Sequence, residues 1–176
     1  MKLEIFCLGI LFNGKRTGYE IHKLFNTSLA HIRQASFGAL YPALSRLEIK
    51  NLIAADLSSR DADRTSLGKR VYHITEAGRE NFVAQLQTVS ASESVNSSFL
   101  SAMYFADHLS NTDISLLIAE RLANLEKIQR RLLALPLSSM TDGQRFTIRY
   151  SLTAVRANID FLKGEGKAIQ KSIARS

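Results

Sequence analysis

The sequence predicts a mainly α-helical chain in two parts: a small N-terminal helical domain closed by a two-stranded ribbon, and a C-terminal domain of long helices. Three observations carry that expectation. Ser36 to Leu52, SFGALYPALSRLEIKNL, sets Leu40, Leu44 and Leu47 on one apolar stripe, with Arg46 and Lys50 four apart on another face. Directly behind it Ile53, Ala55 and Leu57 alternate at period two, a polar run covers Ser58 to Gly68, and Lys69 to Thr75 (KRVYHIT) is rich in β-forming residues. Far downstream Ile114, Leu117, Ile118, Leu122, Leu125, Ile128 and Leu132 recur at three- and four-residue steps.

A short helix with an apolar back and a thin basic front fits a DNA major groove. Taken alone, the same pattern serves equally for a core helix with a solvated basic edge. The ribbon decides between them, because the order helix, helix, basic helix, hairpin is that of a winged helix-turn-helix. Its tip carries Arg60 and Arg64, and Lys69 and Arg70 stand where its second strand begins.

The elements follow in order. Residues 3 to 12, LEIFCLGILF, form a nearly all-apolar helix that must be buried, in part against another subunit, and Asn13-Gly14 ends it. Thr17 with Glu20 makes a capping box for a second helix, whose Ile21, Leu24 and Phe25 share a face while Lys23 points away. Leu29 to Gln34 is a short helix or turn. Ser36 is an N-cap, and Gly38 permits close approach to another backbone. Pro42 removes a backbone bond past the first turn, so either Phe37 to Tyr41 is a separate tight turn or the helix kinks. Thr75-Glu76-Ala77-Gly78 starts the next helix, which carries Phe82, Val83 and Leu86.

Thr88 to Ser98, TVSASESVNSS, is a shift to small and polar residues, read as a linker or weakly held helical segment. The domains are therefore 1–87, a winged helix-turn-helix, and 99–176, joined by 88–98. After the apolar stretch Phe99 to Leu109, Ser110 to Asp113 cap a helix running to about Leu135. Pro136 to Gly143 breaks it, and a capping box of Thr141 and Gln144 opens a last helix that runs to near Ile173 and bears Phe146, Tyr150, Ile159, Phe161 and Leu162. A lone hairpin of two such helices cannot cover both apolar stripes. It is expected to pack on the same hairpin of a second chain, which makes 99–176 a dimerisation domain; the alternative folds it back on the N-terminal half.

The 176 residues, 45% hydrophobic and 22% charged, are ordinary for a globular chain. The net charge of +7 divides as +4 through Gln87 and +3 after it, so the basic excess is spread rather than held in a tail. It suits a polyanionic partner. The single cysteine, Cys7, excludes an intrachain disulfide and fits a reducing, cytoplasmic compartment; in its apolar run it reads as a buried thiol rather than a nucleophile. That run is too short to span a bilayer.

With these residues in view, the N-terminal half resembles the PadR family of transcriptional regulators. The matching pieces are GYEI at Gly18 to Ile21, GALYPALSRLE at Gly38 to Glu48, and KRVYHITEAG at Lys69 to Gly78. The resemblance covers roughly residues 1 to 87; the remainder is similar to the family's longer C-terminal dimerisation domain only in helical pattern and length. It implies a DNA-binding regulator, usually a repressor and less often an activator, that binds a palindromic operator as a dimer, in some members released by phenolic or other small aromatic compounds. It also implies that Tyr19 and Tyr41 support the groove-facing element, that Ser36 and Gly38 lie near phosphate, that Arg46 and Lys50 run along the recognition helix, and that Lys69 and Arg70 hold the base of the wing. The sequence departs from the family pattern where Ala39 replaces the Thr or Ser of many members, at Ile49-Lys50-Asn51, and in a long wing tip carrying Asp61 and Asp63.

Most affinity should then come from Lys and Arg on phosphates. Arg46 is the leading candidate for a base contact, with a phosphate contact an equal alternative; Lys50 is a phosphate contact or merely solvated. Arg60 and Arg64 are partly neutralised by Asp61 and Asp63. Phe99, Met103, Tyr104 and Phe105 are candidates to line an effector pocket for a small aromatic ligand, although aromatics at helical spacing more often build core. An enzyme is disfavoured. His22, His31, His73 and His108 are scattered, and no HExxH, cysteine pair, GxSxG or phosphate-cradling glycine loop is present, so no catalytic residue, metal site or cofactor is assigned. The competing reading is a winged-helix dimer whose faces bind another protein, as an interaction or activator module.

Overall fold

The computed structural model describes residues 1–56, 70–91 and 97–173, which fall into two units, Met1–Ser92 and Glu93–Ser176. In the first, helix α1 (Leu3–Phe12) buries Leu3, Ile5, Cys7, Leu8 and Leu11. It stops at Asn13, and Gly14, at φ 137°, makes the reversal that other residues rarely adopt. Burial pushes the Cys7 thiol up to about 12, which leaves it protonated and inert.

The chain then forms a strand that the periodicity did not predict, β1 (Arg16–Thr17). Two residues are too few to show alternation, and β1 exists only because Arg16 pairs with Tyr72 and Thr17 with Val71 on a distant strand. Strands β2 (Ile53–Asp56) and β3 (Val71–Ile74) are the expected ribbon, in antiparallel register Ile53–Ile74 to Asp56–Val71. The two-stranded wing is therefore the outer part of a three-stranded sheet of order β1-β3-β2. The wing tip and both its arginines lie outside the described residues.

Helix α2 (Gly18–Asn26) opens on the expected capping box: Thr17 Oγ1 accepts from the Glu20 N–H, and Glu20 accepts from the Thr17 N–H. Residues 27–32 are turn rather than helix. Helix α3 (Phe37–Ile49) is one continuous helix through Pro42, capped by Ser36, whose Oγ accepts from the Ala39 N–H at 3.3 Å. The separate turn at 37–41 is not formed. An interior proline costs a helix about 3 kcal/mol, and burial of Leu40, Ala43, Leu44 and Leu47 against α1 and α2 offsets it. α3 ends in a Schellman motif: Asn51 takes φ 54°, the Leu52 N–H donates to the Leu47 carbonyl at 2.9 Å, and the Asn51 N–H to that of Glu48 at 2.9 Å.

That ending is welded to the start of α4 (Glu76–Gln87). Thr75 Oγ1 donates to the Asn51 carbonyl at 2.8 Å and accepts from the Gly78 N–H at 3.1 Å, while the Thr75 N–H donates to the Leu52 carbonyl at 3.1 Å. A Cβ on Gly78 would stand 2.0 Å from the Leu52 carbonyl oxygen.

The second unit holds α5 (Ser98–Tyr104), α6 (Asn111–Leu133) and α7 (Asp142–Ile173), with single 3-10 turns at Ala106–His108 and Leu137–Ser139. α6 is boxed by Ser110 and Asp113, and Thr141 and Gln144 exchange the bonds expected of them at the start of α7. Ile118 packs against Gly166 and Ile169, and Leu125 against Val155, Ile159 and Leu162, so early α6 meets late α7 and the pair is antiparallel. No helix among the described residues is long and apolar enough to cross a membrane.

Gly78→Ala forces backbone to move and should destabilise the chain by about 3 kcal/mol. Gly143→Ala, at a position with nothing within 4 Å of the added carbon, should be neutral or gain up to about 1 kcal/mol. Urea unfolding followed by circular dichroism compares the two, and equal midpoints would contradict the welded junction.

Candidate nucleic-acid interface

α3 presents a bare face. Its buried residues fix which side meets the core, and at 100° per residue the opposite side is the row Gly38, Pro42, Ser45 and Ile49, all exposed. Ala39, Arg46 and Lys50 flank this row on one side, Tyr41 and Glu48 on the other.

α2 meets the start of α3 through rings. A Cβ on Gly18 would stand 2.8 Å from Tyr41 Cε1, so that glycine makes the space in which the Tyr41 ring lies. Phe37 stacks on His22 with ring centroids 3.6 Å apart and planes 13° off parallel, and lies 6.0 Å from Tyr41. Asn26 Nδ2 donates to the His22 carbonyl at 2.9 Å, holding that residue's end of the stack. Tyr19, 59% exposed, stands free of the ladder on α2. Phe37 and His22 were not among the sequence candidates, because the stack joins residues fifteen positions apart across a turn.

The cations divide into held and free. Arg46 is committed to α1: Nε and Nη2 lie 2.8 and 2.7 Å from Glu4 Oε1. It therefore sits in the last turn on the α1 flank, away from the outward row. Arg70 donates to Glu48 of α3 and lies over the Tyr72 ring at 5.6 Å, a strut between ribbon and helix. Lys15 pairs with Asp56 at 2.6 Å, and His73 Nδ1 lies 3.5 Å from the same carboxylate. Lys50, the C-cap of α3, and Lys23 are exposed and have no ion-pair partner among the described residues. Arg64 and Lys69, like Arg60, lie outside the described residues.

Burial works to raise the Glu4 carboxyl, but the backbone N–H it accepts from and the Arg46 guanidinium outweigh it, so its pKa falls below the usual 4.5. Asp56 is likewise held low, chiefly by its hydrogen bond from Lys15.

In the second unit a cavity of about 550 Å³ opens between α5, α6 and α7. Phe99 and Met103 line it, with Leu100, Phe161 and Ile169, and Glu165 is the charged residue among the described lining. Tyr104 and Phe105 do not. They stand 83% and 60% exposed, edge to face with each other, because α5 ends at Tyr104 and the chain turns. Cavity residues from α7 lie some sixty positions from Phe99, beyond any local pattern.

A model of the PadR-like transcriptional regulator family matches residues 7–84. The chain is 27% identical over 123 residues to the negative transcriptional regulator PadR of Bacillus subtilis strain 168, across 68% of this chain and 65%, just under two thirds, of that protein. Its structure is similar to smu.1604c from Streptococcus mutans UA159, with a TM-score of 0.83 and 28% identity over 94% of this chain and 98% of the other. It is also similar to Bacillus subtilis PadR in complex with operator DNA, at TM-score 0.76 and 22% identity over 97% and 98% of the two chains. The same protein in complex with p-coumaric acid gives TM-score 0.69 and 23% identity over 98% of each. At those identities the likeness to PadR structures is one of fold.

The Glu4–Arg46 pair makes a pH prediction. Because the folded carboxyl titrates below its unfolded value, the pair's contribution is complete above 4.5 and is lost as pH falls through the lower folded value. With half-exposed Arg46 in water that contribution is at most about 1 kcal/mol. Glu4→Gln should remove it at neutral pH and flatten the acid limb of a plot of unfolding midpoint against pH; parallel limbs for the two proteins would refute it.

Proposed function

We propose that the chain, whose residues 7–84 match the PadR-like transcriptional regulator family, binds a pseudo-palindromic DNA operator as a homodimer and represses transcription. The observation that carries the reading is the face of α3. Its exposed residues include no acid, and two carboxylates beside it among the described residues, Glu4 and Glu48, are each paired with an arginine. A phosphate backbone meets net positive potential there, with Lys23 and Lys50 free to pair with it. Ser36 stands at the N-terminus of α3, where backbone N–H groups favour an anion, and Arg64 and Lys69, outside the described residues, are proposed to add phosphate contacts.

Homodimerisation through α6 and α7, with a contribution from α1, brings two copies of α3 about one DNA turn, roughly 34–36 Å, apart. Leu116, Leu133, Phe146 and Phe161 remain exposed on the hairpin, as expected of a surface a second chain covers. Repression follows the direction of the Bacillus subtilis relative, a negative regulator. The cavity containing Phe99 and Met103 is the proposed place for a small aromatic effector, in keeping with the p-coumaric acid complex of PadR. The protein is proposed to act in the cytoplasm, without catalytic activity or cofactor.

Fluorescence anisotropy against the DNA upstream of its own gene, beside a scrambled duplex and at several salt concentrations, tests this. A preference of about a thousandfold with a steep fall in affinity as salt rises is expected. Equal, weak binding to every duplex tried, including pools offered for selection, would give the face to a protein partner instead.

A further inference from the structure

The outward row of α3 carries no charge. Gly38, Pro42, Ser45 and Ile49 face away from the core, and Ile49 is 77% exposed. Among the described residues nothing in the fold requires Gly38: its φ is not in the left-handed region, and a Cβ built on it meets only Ser36 Oγ, at 3.9 Å. Gly18 and Gly78 differ: their Cβ positions are taken by the Tyr41 ring and the Leu52 carbonyl. A helical glycine costs stability relative to alanine, so a glycine the fold does not need points to something outside the chain that approaches this spot. The two arginines able to reach guanine from α3 or the ribbon base are meanwhile tied to Glu4 and Glu48.

We propose, resting on the DNA-binding reading above, that α3 reads its operator through this uncharged row rather than through arginine. Gly38 admits a base edge to the backbone of α3. Pro42 and Ile49 lie against the C5-methyl groups of thymines, the apolar feature of the major groove. Arg46 and Arg70 are positioning residues that fix the pose of the helix against α1 and the sheet.

The test uses the full chain and a duplex selected by it from a random pool. Gly38→Ala should unfold at the same or a higher temperature than the wild type. It should nonetheless bind the selected duplex about tenfold more weakly, the weight of one mismatched base pair, with little change on a scrambled duplex. Replacing thymines singly by deoxyuridine removes one methyl group each. Affinity should fall about fourfold at one or more positions in each half-site, the weight of one buried methyl. At those positions Ile49→Ala should respond less. The inference is overturned if Gly38→Ala binds as the wild type does or if no uridine matters. Failure to enrich any duplex would overturn the DNA-binding reading itself, and this inference with it.

Discussion

Everything the N-terminal unit offers to a partner depends on one carbonyl. The Leu52 oxygen accepts the Thr75 N–H at 3.1 Å, and Gly78 lies so near it that no side chain fits between them. Four elements meet there: α3 ends in the left-handed Asn51, β2 begins, β3 ends and α4 starts. Thr75 fastens the junction by donating to Asn51 while capping α4. Each bond alone is worth about 1 kcal/mol. Together they leave α3 one angle relative to the ribbon, which a groove-reading element needs. α1 then packs along α4 through the same economy of space: a Cβ on Gly9 would meet the Phe82 ring at 3.0 Å.

The charged side chains serve the same rigidity. Arg46 joins α3 to α1, Arg70 joins the ribbon to α3, and Lys15 joins the approach to β1 with the end of β2. Such pairs contribute little stability in water. Their geometric effect is larger, because each links elements whose spacing sets where the outward row lies. A long cation next to a groove-sized helix is therefore as likely to hold the helix as to read a base, and in this chain both arginines that flank α3 hold it.

That division explains what the sequence could reveal. Capping boxes are local, so Thr17 with Glu20 and Thr141 with Gln144 were legible and formed as expected. The stripe of Leu40, Leu44 and Leu47 was legible for the same reason, and its burial carried α3 straight through Pro42. Strand β1 was hidden because its cause is Tyr72 and Val71, more than fifty residues away. The role of Arg46 was hidden because Glu4 lies forty-two positions upstream. Tyr104 and Phe105 belong to the same apolar stretch as Phe99 and Met103, but α5 ends at Tyr104 and both side chains stand exposed. Gly78 stood in plain view within TEAG, yet only the approach of Leu52 gives a reason for it.

The proposed uncharged reading face would place a demand on the rest of the chain. Methyl contacts are weak, about 0.8 kcal/mol each; the two proposed for Pro42 and Ile49, with about 1.4 kcal/mol for the base edge at Gly38, discriminate only about 150-fold in one half-site. Regulators that find their sites need roughly a thousandfold or more over random DNA. In the proposed dimer two-fold symmetry supplies the difference without any new contact type, since the two half-sites together reach about 6 kcal/mol, on the order of ten-thousandfold. The C-terminal unit has the form such a demand favours. α7 is 32 residues long against 23 for α6, and the hairpin leaves Leu133 and Phe146 uncovered near its loop. In the proposed dimer those surfaces are buried by the same association that pairs the two reading faces. Assembly and selectivity would then rise and fall together, and any ligand that altered the packing of α5 on α6 and α7 would act on both.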